Sequence, residues 1–135
     1  MKSEIHIACI KQSLKEIRSF VAEFLVQTPF SEIEINALVL AVDEVCANVI
    51  IHSTQKEDNE KLEVCIELNT NEVKFDVLDK GKGYDIRKHK MPALKEIIKS
   101  KRKGGVGLLL VHKIMDQIDF IPQNNGNIIR LVKHI

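Results

Sequence analysis

The stretch VDEVCANVII, residues 42–51, decides how this 135-residue chain is read. It lies in the longest apolar run, and the residues before it set a helical frame. Ser31 offers an N-cap, with Glu34 three residues on to close a capping box. Ile35, Leu38, Val42, Val45 and Val49 then recur in three- and four-residue steps, which predicts a helix from about Ser31 to His52. At about 100° per residue, Glu44 and Asn48 fall one turn apart, roughly opposite that stripe, among Ala37, Leu40, Ala41 and Ile51. A helix apolar nearly all round is a buried helix. A buried charge without a partner is costly, so the pair calls for a metal, a ligand, water or another side chain. Two readings stay open. Either Glu44 and Asn48 bond to each other or sit at a solvated helix edge, or Glu44 is a base one turn from an amide oxygen. Such an oxygen suits Mg2+, which takes few protein ligands when phosphates and waters supply the rest.

Outward from this helix, residues 4–10 alternate as a strand, and residues 12–27 place Leu14, Ile17, Val21, Phe24 and Leu25 at helical spacing before Thr28-Pro29. Residues 53–60 are polar. LEVCIEL (62–68) and VKFDVLD (73–79) alternate around NTN, which predicts an antiparallel hairpin. PALKEIIKS (92–100) has the pattern of a short helix with Pro92 in its first turn. GGVG opens a helix through LLLVHKIMD, and IDFI and NIIRLVKHI read as two closing strands. Paired strands with helices grouped between them predict an α+β fold: a two-layer α/β sandwich, with a mostly antiparallel mixed sheet and helices on one face.

The length suits one domain over residues 1–135. Apolar residues at 44% supply a core and charged residues at 29% a wetted surface. A net charge of +1 gives no global field for DNA or a membrane, and five Phe, one Tyr and no Trp are too few for a base-stacking platform. Cys9, Cys46 and Cys65 are odd in number, far apart and form no C-x-x-C, so they read as small core residues in a reducing compartment. No run reaches the ~18 apolar residues of a membrane span. The N-terminus has no signal-peptide core, and the expected location is cytoplasmic.

Three further features bear on chemistry. Asp79 ends an apolar strand and begins D-K-G-K-G; it is either an ordinary strand-end turn residue or an acceptor for an exocyclic amine such as that of adenine. Gly81 and Gly83 permit sharp turning and the close approach of a flat ring. Gly105-Val106-Gly107 precedes a helix, where glycines either make a tight loop or open the first N–H groups to an anion. Between them, residues 80–103 hold ten Lys or Arg against Asp85 and Glu96, half of the chain's 20 basic residues, framed by anion-friendly loops. No Walker A motif, kinase-type G-x-G-x-x-G or H-x-x-x-H spacing is present.

In order, E-x-x-x-N on a helix, D-x-G-x-G after a strand, a variable segment and G-x-G-L opening a helix resemble the GHKL ATPase superfamily with its Bergerat, or histidine-kinase-like ATPase, fold. Within it the chain is similar to the bacterial anti-sigma factor serine-protein kinases. LAVDEVCANVIIHS resembles their N box, VLDKGKGYD the first glycine box, GGVGLLLVHKIMDQIDF the second and GNIIRLVKHI the closing strand. The resemblance implies that Asn48 would ligate the Mg2+ bridging the ATP phosphates and that Glu44 would be the general base. Asp79 would read the adenine amine, with Gly81, Gly83 and Tyr84 shaping that pocket. Lys103, Gly104, Gly105, Val106, Gly107 and Leu108 would line the phosphates, His52 and Asn127 would complete the ATP site, and residues 84–103 would be the ATP lid. The kinases usually have an Arg before the second glycine box where Lys103 stands beside Arg102, and Lys offers charge without a bidentate fork. They usually begin the closing strand Gly-Thr, where this chain has Gly126-Asn127.

The expected function is an ATP- and Mg-dependent protein serine/threonine kinase. It would phosphorylate an anti-sigma-antagonist-like partner and sequester a sigma factor or another regulator, and homodimers are common among such kinases. The alternative is a non-catalytic, ATP-responsive protein-binding module. A histidine-kinase ATPase domain normally follows a helical segment bearing the phosphorylated His, and a gyrase-like ATPase needs a transducer domain; neither is read in this sequence.

Overall fold

A computed structural model describes residues 1–52, 61–79, 105–123 and 126–135. Strand β1 (Lys2–Ala8) leads through a 3-10 turn (Lys11–Ser13) into α1 (Leu14–Leu25) and α2 (Glu32–His52). The hairpin β2 (Lys61–Leu68) and β3 (Glu72–Asp79) follows, then α3 (Gly105–Ile114), β4 (Gln117–Gln123) and β5 (Gly126–His134). Among the described residues the expected elements are present within a few residues of their predicted ends. Residues 11–13 tighten into a 3-10 turn ahead of α1 rather than continuing it backwards. The short helix expected over 92–100 lies outside the described residues.

Local chemistry sets the boundaries. At the end of α1 the Thr28 hydroxyl donates to the Leu25 carbonyl at 2.6 Å, closing the last turn ahead of Pro29. At the start of α2 the Glu34 N–H donates to Ser31 Oγ at 3.2 Å, while the Ser31 N–H donates to Glu34 Oε1 at 3.3 Å, a reciprocal capping box. Ser31→Ala is expected to cost about 1 kcal/mol, read as a lower urea midpoint with an unchanged m-value. Between β2 and β3, Asn69 Oδ1 accepts the N–H groups of Asn71 and Glu72, both at 2.9 Å, so its side chain organises the turn.

The five strands form one sheet in the order β1-β2-β3-β5-β4. All four pairings are antiparallel, and β5 inserts between β3 and β4. The pleat separates two faces. Leu62, Val64 and Ile66 of β2, Val73, Phe75 and Val77 of β3, and Ile129 and Leu131 of β5 point to the helices and are buried. The helix α2 packs against α1, α3 and β3, so it is flanked as well as floored. That accounts for a helix whose Leu38, Ala41, Val42, Val45, Cys46, Val49 and Ile50 are all buried. Its exposed apolar positions are Ile33, Leu40 and Ile51, so the side carrying Glu44 is only partly covered.

The other face is charged. Arg130 on β5 grips its cross-strand partner Asp76 on β3 through Nε–Oδ1 at 2.8 Å and a second guanidinium bond at 3.0 Å. Cys65 lies on this face, half-buried among Glu4, Glu63 and Asp76, and is not the core residue expected; Cys9 and Cys46 are buried. No helix among the described residues is long and apolar enough to cross a membrane.

Candidate functional site

The site is built from α2 upward. Asn48 is 7% exposed although it is an amide. Its Nδ2 donates to the backbone carbonyl of Glu44, one turn back, at 3.3 Å. The amide is thus anchored to the helix backbone rather than bonded to the Glu44 carboxylate. Among the described residues no hydrogen bond falls on Oδ1, which leaves a near-buried carbonyl oxygen suited to a hard cation.

Glu44 is half-buried, and its carboxylate lies directly against Gly107 in the first turn of α3. A Cβ at residue 107 would stand 2.5 Å from Glu44 Cδ and 3.1 Å from Cγ, with Oε2 nearer still. Only glycine admits this approach. Burial, reinforced by the neighbouring Asp43 charge, raises the Glu44 carboxyl above its usual range. Asp43 itself is held by Arg18 of α1 at 3.1 Å. The Glu44 carboxylate and a helix start, whose first N–H groups have no partner within the helix, therefore sit together. This contact was not legible in the motif, which marks Gly107 only as part of an anion loop.

Asp79 is 6% exposed and ends β3 on the helix-facing side, in line with Val73, Phe75 and Val77. Its register partners are Leu62 on β2 and Asn127 on β5. The closing strand thus brings the Asn127 position beside Asp79. Asn127 itself is half-buried. Leu108 is 7% exposed, and Val111 and Met115 of the same segment anchor α3 to the core.

Gly81, Gly83, Tyr84, Lys103, Gly104 and the lid assigned to 84–103 lie outside the described residues. His52 closes α2 and Gly105 and Val106 open α3, but their side chains lie outside the description. A cleft of about 340 Å³ runs beside the end of α2, lined by Ile10, Lys11, Leu14, Ala47, Ile50 and Ile51 among others. Another lies between β1 and α1 around Ile5 and Phe20. Neither cleft is lined by Glu44, Asn48 or Asp79.

Comparison with known proteins follows the same lines. The profile of the histidine kinase-like ATPase domain family matches residues 9–133. The anti-sigma F factor of Bacillus subtilis (strain 168) is 28% identical over 140 residues, covering 100% of this chain and 94% of that protein. The serine-protein kinase RsbW of Bacillus thuringiensis (strain Al Hakam) is 25% identical over 138 residues, covering 99% and 85%. Among solved structures, the RsbU and RsbW domains of Rv1364c from Mycobacterium tuberculosis superpose with a TM-score of 0.67 at 16% identity. That match covers 97% of this chain and 32% of the longer one, and at this identity it speaks for the fold.

Proposed function

Because this chain belongs to the histidine kinase-like ATPase domain family, we propose that it is an ATP- and Mg2+-dependent protein serine/threonine kinase of the anti-sigma factor type. Its substrate is an anti-sigma-antagonist-like protein, and it sequesters a sigma-type regulator by direct binding. The names of the anti-sigma F factor and RsbW relatives, at near-full coverage, support the kinase class and the partners. The observation that carries the reading is the Glu44 carboxylate set against Gly107 at the start of α3, with the Asn48 amide one turn along α2.

The residues fit the groups this family uses. Asn48 would hold Mg2+ through Oδ1, and the ion would supply neutralisation of phosphate charge. Backbone N–H groups at the start of α3 would receive the phosphate anion. Asp79 would accept the amine of the purine, with Asn127 beside it. Glu44 takes the proton from the attacking serine or threonine hydroxyl, and its raised pKa makes it a better base than an ordinary carboxylate. Phosphoryl transfer is mainly positioning and charge stabilisation, so a pre-set base and a buried ligand are the parts a protein must provide.

The test is ATP and ADP binding with and without Mg2+, followed by transfer from labelled ATP to a candidate antagonist protein. Absence of ATP binding overturns the reading; binding without transfer to any candidate favours the non-catalytic module. Asp79→Asn is expected to weaken ATP binding about 10- to 100-fold, the worth of a hydrogen bond to a charged acceptor. Fluorescent-nucleotide titration reads this, with urea unfolding to show that the fold persists. Wild-type affinity in that variant would remove Asp79 from purine recognition.

A further inference from the structure

The sheet face away from the helices carries a second constellation. His6 on β1 stands opposite Glu63 on β2 in the register, and Glu4 lies two residues earlier on the same face of β1. His6 Nε2 is 3.5 Å from Glu4 Oε1 and 3.5 Å from Glu63 Oε1. One ligand atom from each of the three lies within 4.8 Å of the others.

We propose that Glu4, His6 and Glu63 form a zinc-binding tripod that ties the edge strand β1 to β2. An ion held tetrahedrally at about 2.0–2.2 Å from nitrogen and oxygen ligands sets those ligands about 3.4 Å apart, the spacing of both histidine–glutamate pairs. The tripod is built on a backbone ladder, so the positions of its three Cα atoms are set by strand pairing rather than by long flexible loops. Two carboxylates converge on one imidazole at the surface. Exposed ion pairs gain little and cost side-chain entropy, and like charges so placed repel unless a cation lies between them. A divalent ion would take one donor atom from each of the three side chains. The ligand set selects the ion: an imidazole nitrogen disfavours Mg2+ and Ca2+, and mixed nitrogen and oxygen donors suit Zn2+. The site lies on the opposite sheet face from α2, so it is separate from any Mg2+ held by Asn48. β1 pairs only with β2 among the described strands, so a bridging ion would hold the sheet's edge in register.

The experiment is Zn2+ titration into the nucleotide-free full chain by calorimetry, with NMR of the histidine ring protons. One Zn2+ per chain is expected at micromolar affinity, moving the His6 resonances. His6→Ala and Glu63→Gln should each weaken binding at least about tenfold, and zinc should raise Tm in the wild type but not in His6→Ala. His134→Ala, on β5 two strands beyond β2, should bind as wild type. Failure of the wild type to bind, or undiminished binding in either tripod variant, overturns the proposal. Neither result bears on ATP binding, which is measured separately with Mg2+.

Discussion

Glu44→Gln is expected to lower phosphoryl transfer by about 10²–10⁴-fold, the usual worth of a positioned general base, while ATP affinity changes little. Glutamine keeps the size of the side chain against Gly107 and removes only the ability to take a proton. The pH profile adds a second readout. Burial and Asp43 raise the Glu44 carboxyl, so the base form is lost as pH falls through a value above the ordinary carboxylate range. The wild-type transfer rate should therefore show an acid limb displaced upward, and the residual activity of the variant should lack it. Stability moves the other way. A carboxyl raised by folding binds its proton more tightly in the folded state, so stability declines as pH rises from the unfolded pKa through the folded one. The uncharged glutamine removes that decline, and Glu44→Gln should be no less stable than wild type at neutral pH. Quench-flow transfer assays and urea unfolding on the same preparation separate the two effects. A variant that transfers phosphate at the wild-type rate would strip Glu44 of its role.

The local grammar of this fold was legible, and its long-range pairings were not. The Ser31–Glu34 capping box and the alternation of LEVCIEL and VKFDVLD depend on neighbours three or two residues away, and both stand in the structure. Alternation also places Cys65 between Val64 and Ile66 on the opposite face, so its position away from the core follows from the period of the strand rather than from its chemistry. The insertion of β5 between β3 and β4 depends on which strand edges meet after the chain returns through α3, and no local pattern encodes it. The adjacency of Asp79 and Asn127 is a product of that pairing. On α2 the wheel identified an interrupted apolar helix, but which side is wetted depends on where α1 and α3 lie. Leu40 and Ile51 accordingly emerge exposed while Asn48 is nearly buried. The family motifs point to Glu44 and Gly107 separately; only packing reveals that the two share one contact.

That contact yields the second large effect. Gly107→Ala should reduce transfer by about 10²-fold, the scale expected when a reacting group is displaced by about 1 Å, with only a small change in stability. The new methyl group would overlap the Glu44 carboxylate, within 2.5 Å of Cδ. The obstructing atoms are the far end of a flexible side chain, not backbone, so the structure can yield by swinging the carboxylate away. Overpacking costs about 1–3 kcal/mol when a core must move, but here the strain is relieved by rotation. Replacing glycine within a helix also returns up to about 1 kcal/mol of propensity. The two terms nearly cancel in folding and should not cancel in catalysis, because the misplaced group is the proposed base. The double variant separates this from a simple phosphate-loop role. If Gly107 acts by positioning Glu44, adding Gly107→Ala to Glu44→Gln should cost little further activity, since the base is already gone and residues acting as a unit are not additive. If Gly107 instead serves only to let phosphate approach the α3 backbone, the losses should multiply and ATP affinity should fall with Gly107→Ala alone. The measured coupling between the two substitutions thus decides whether the helix start and the base work as one device.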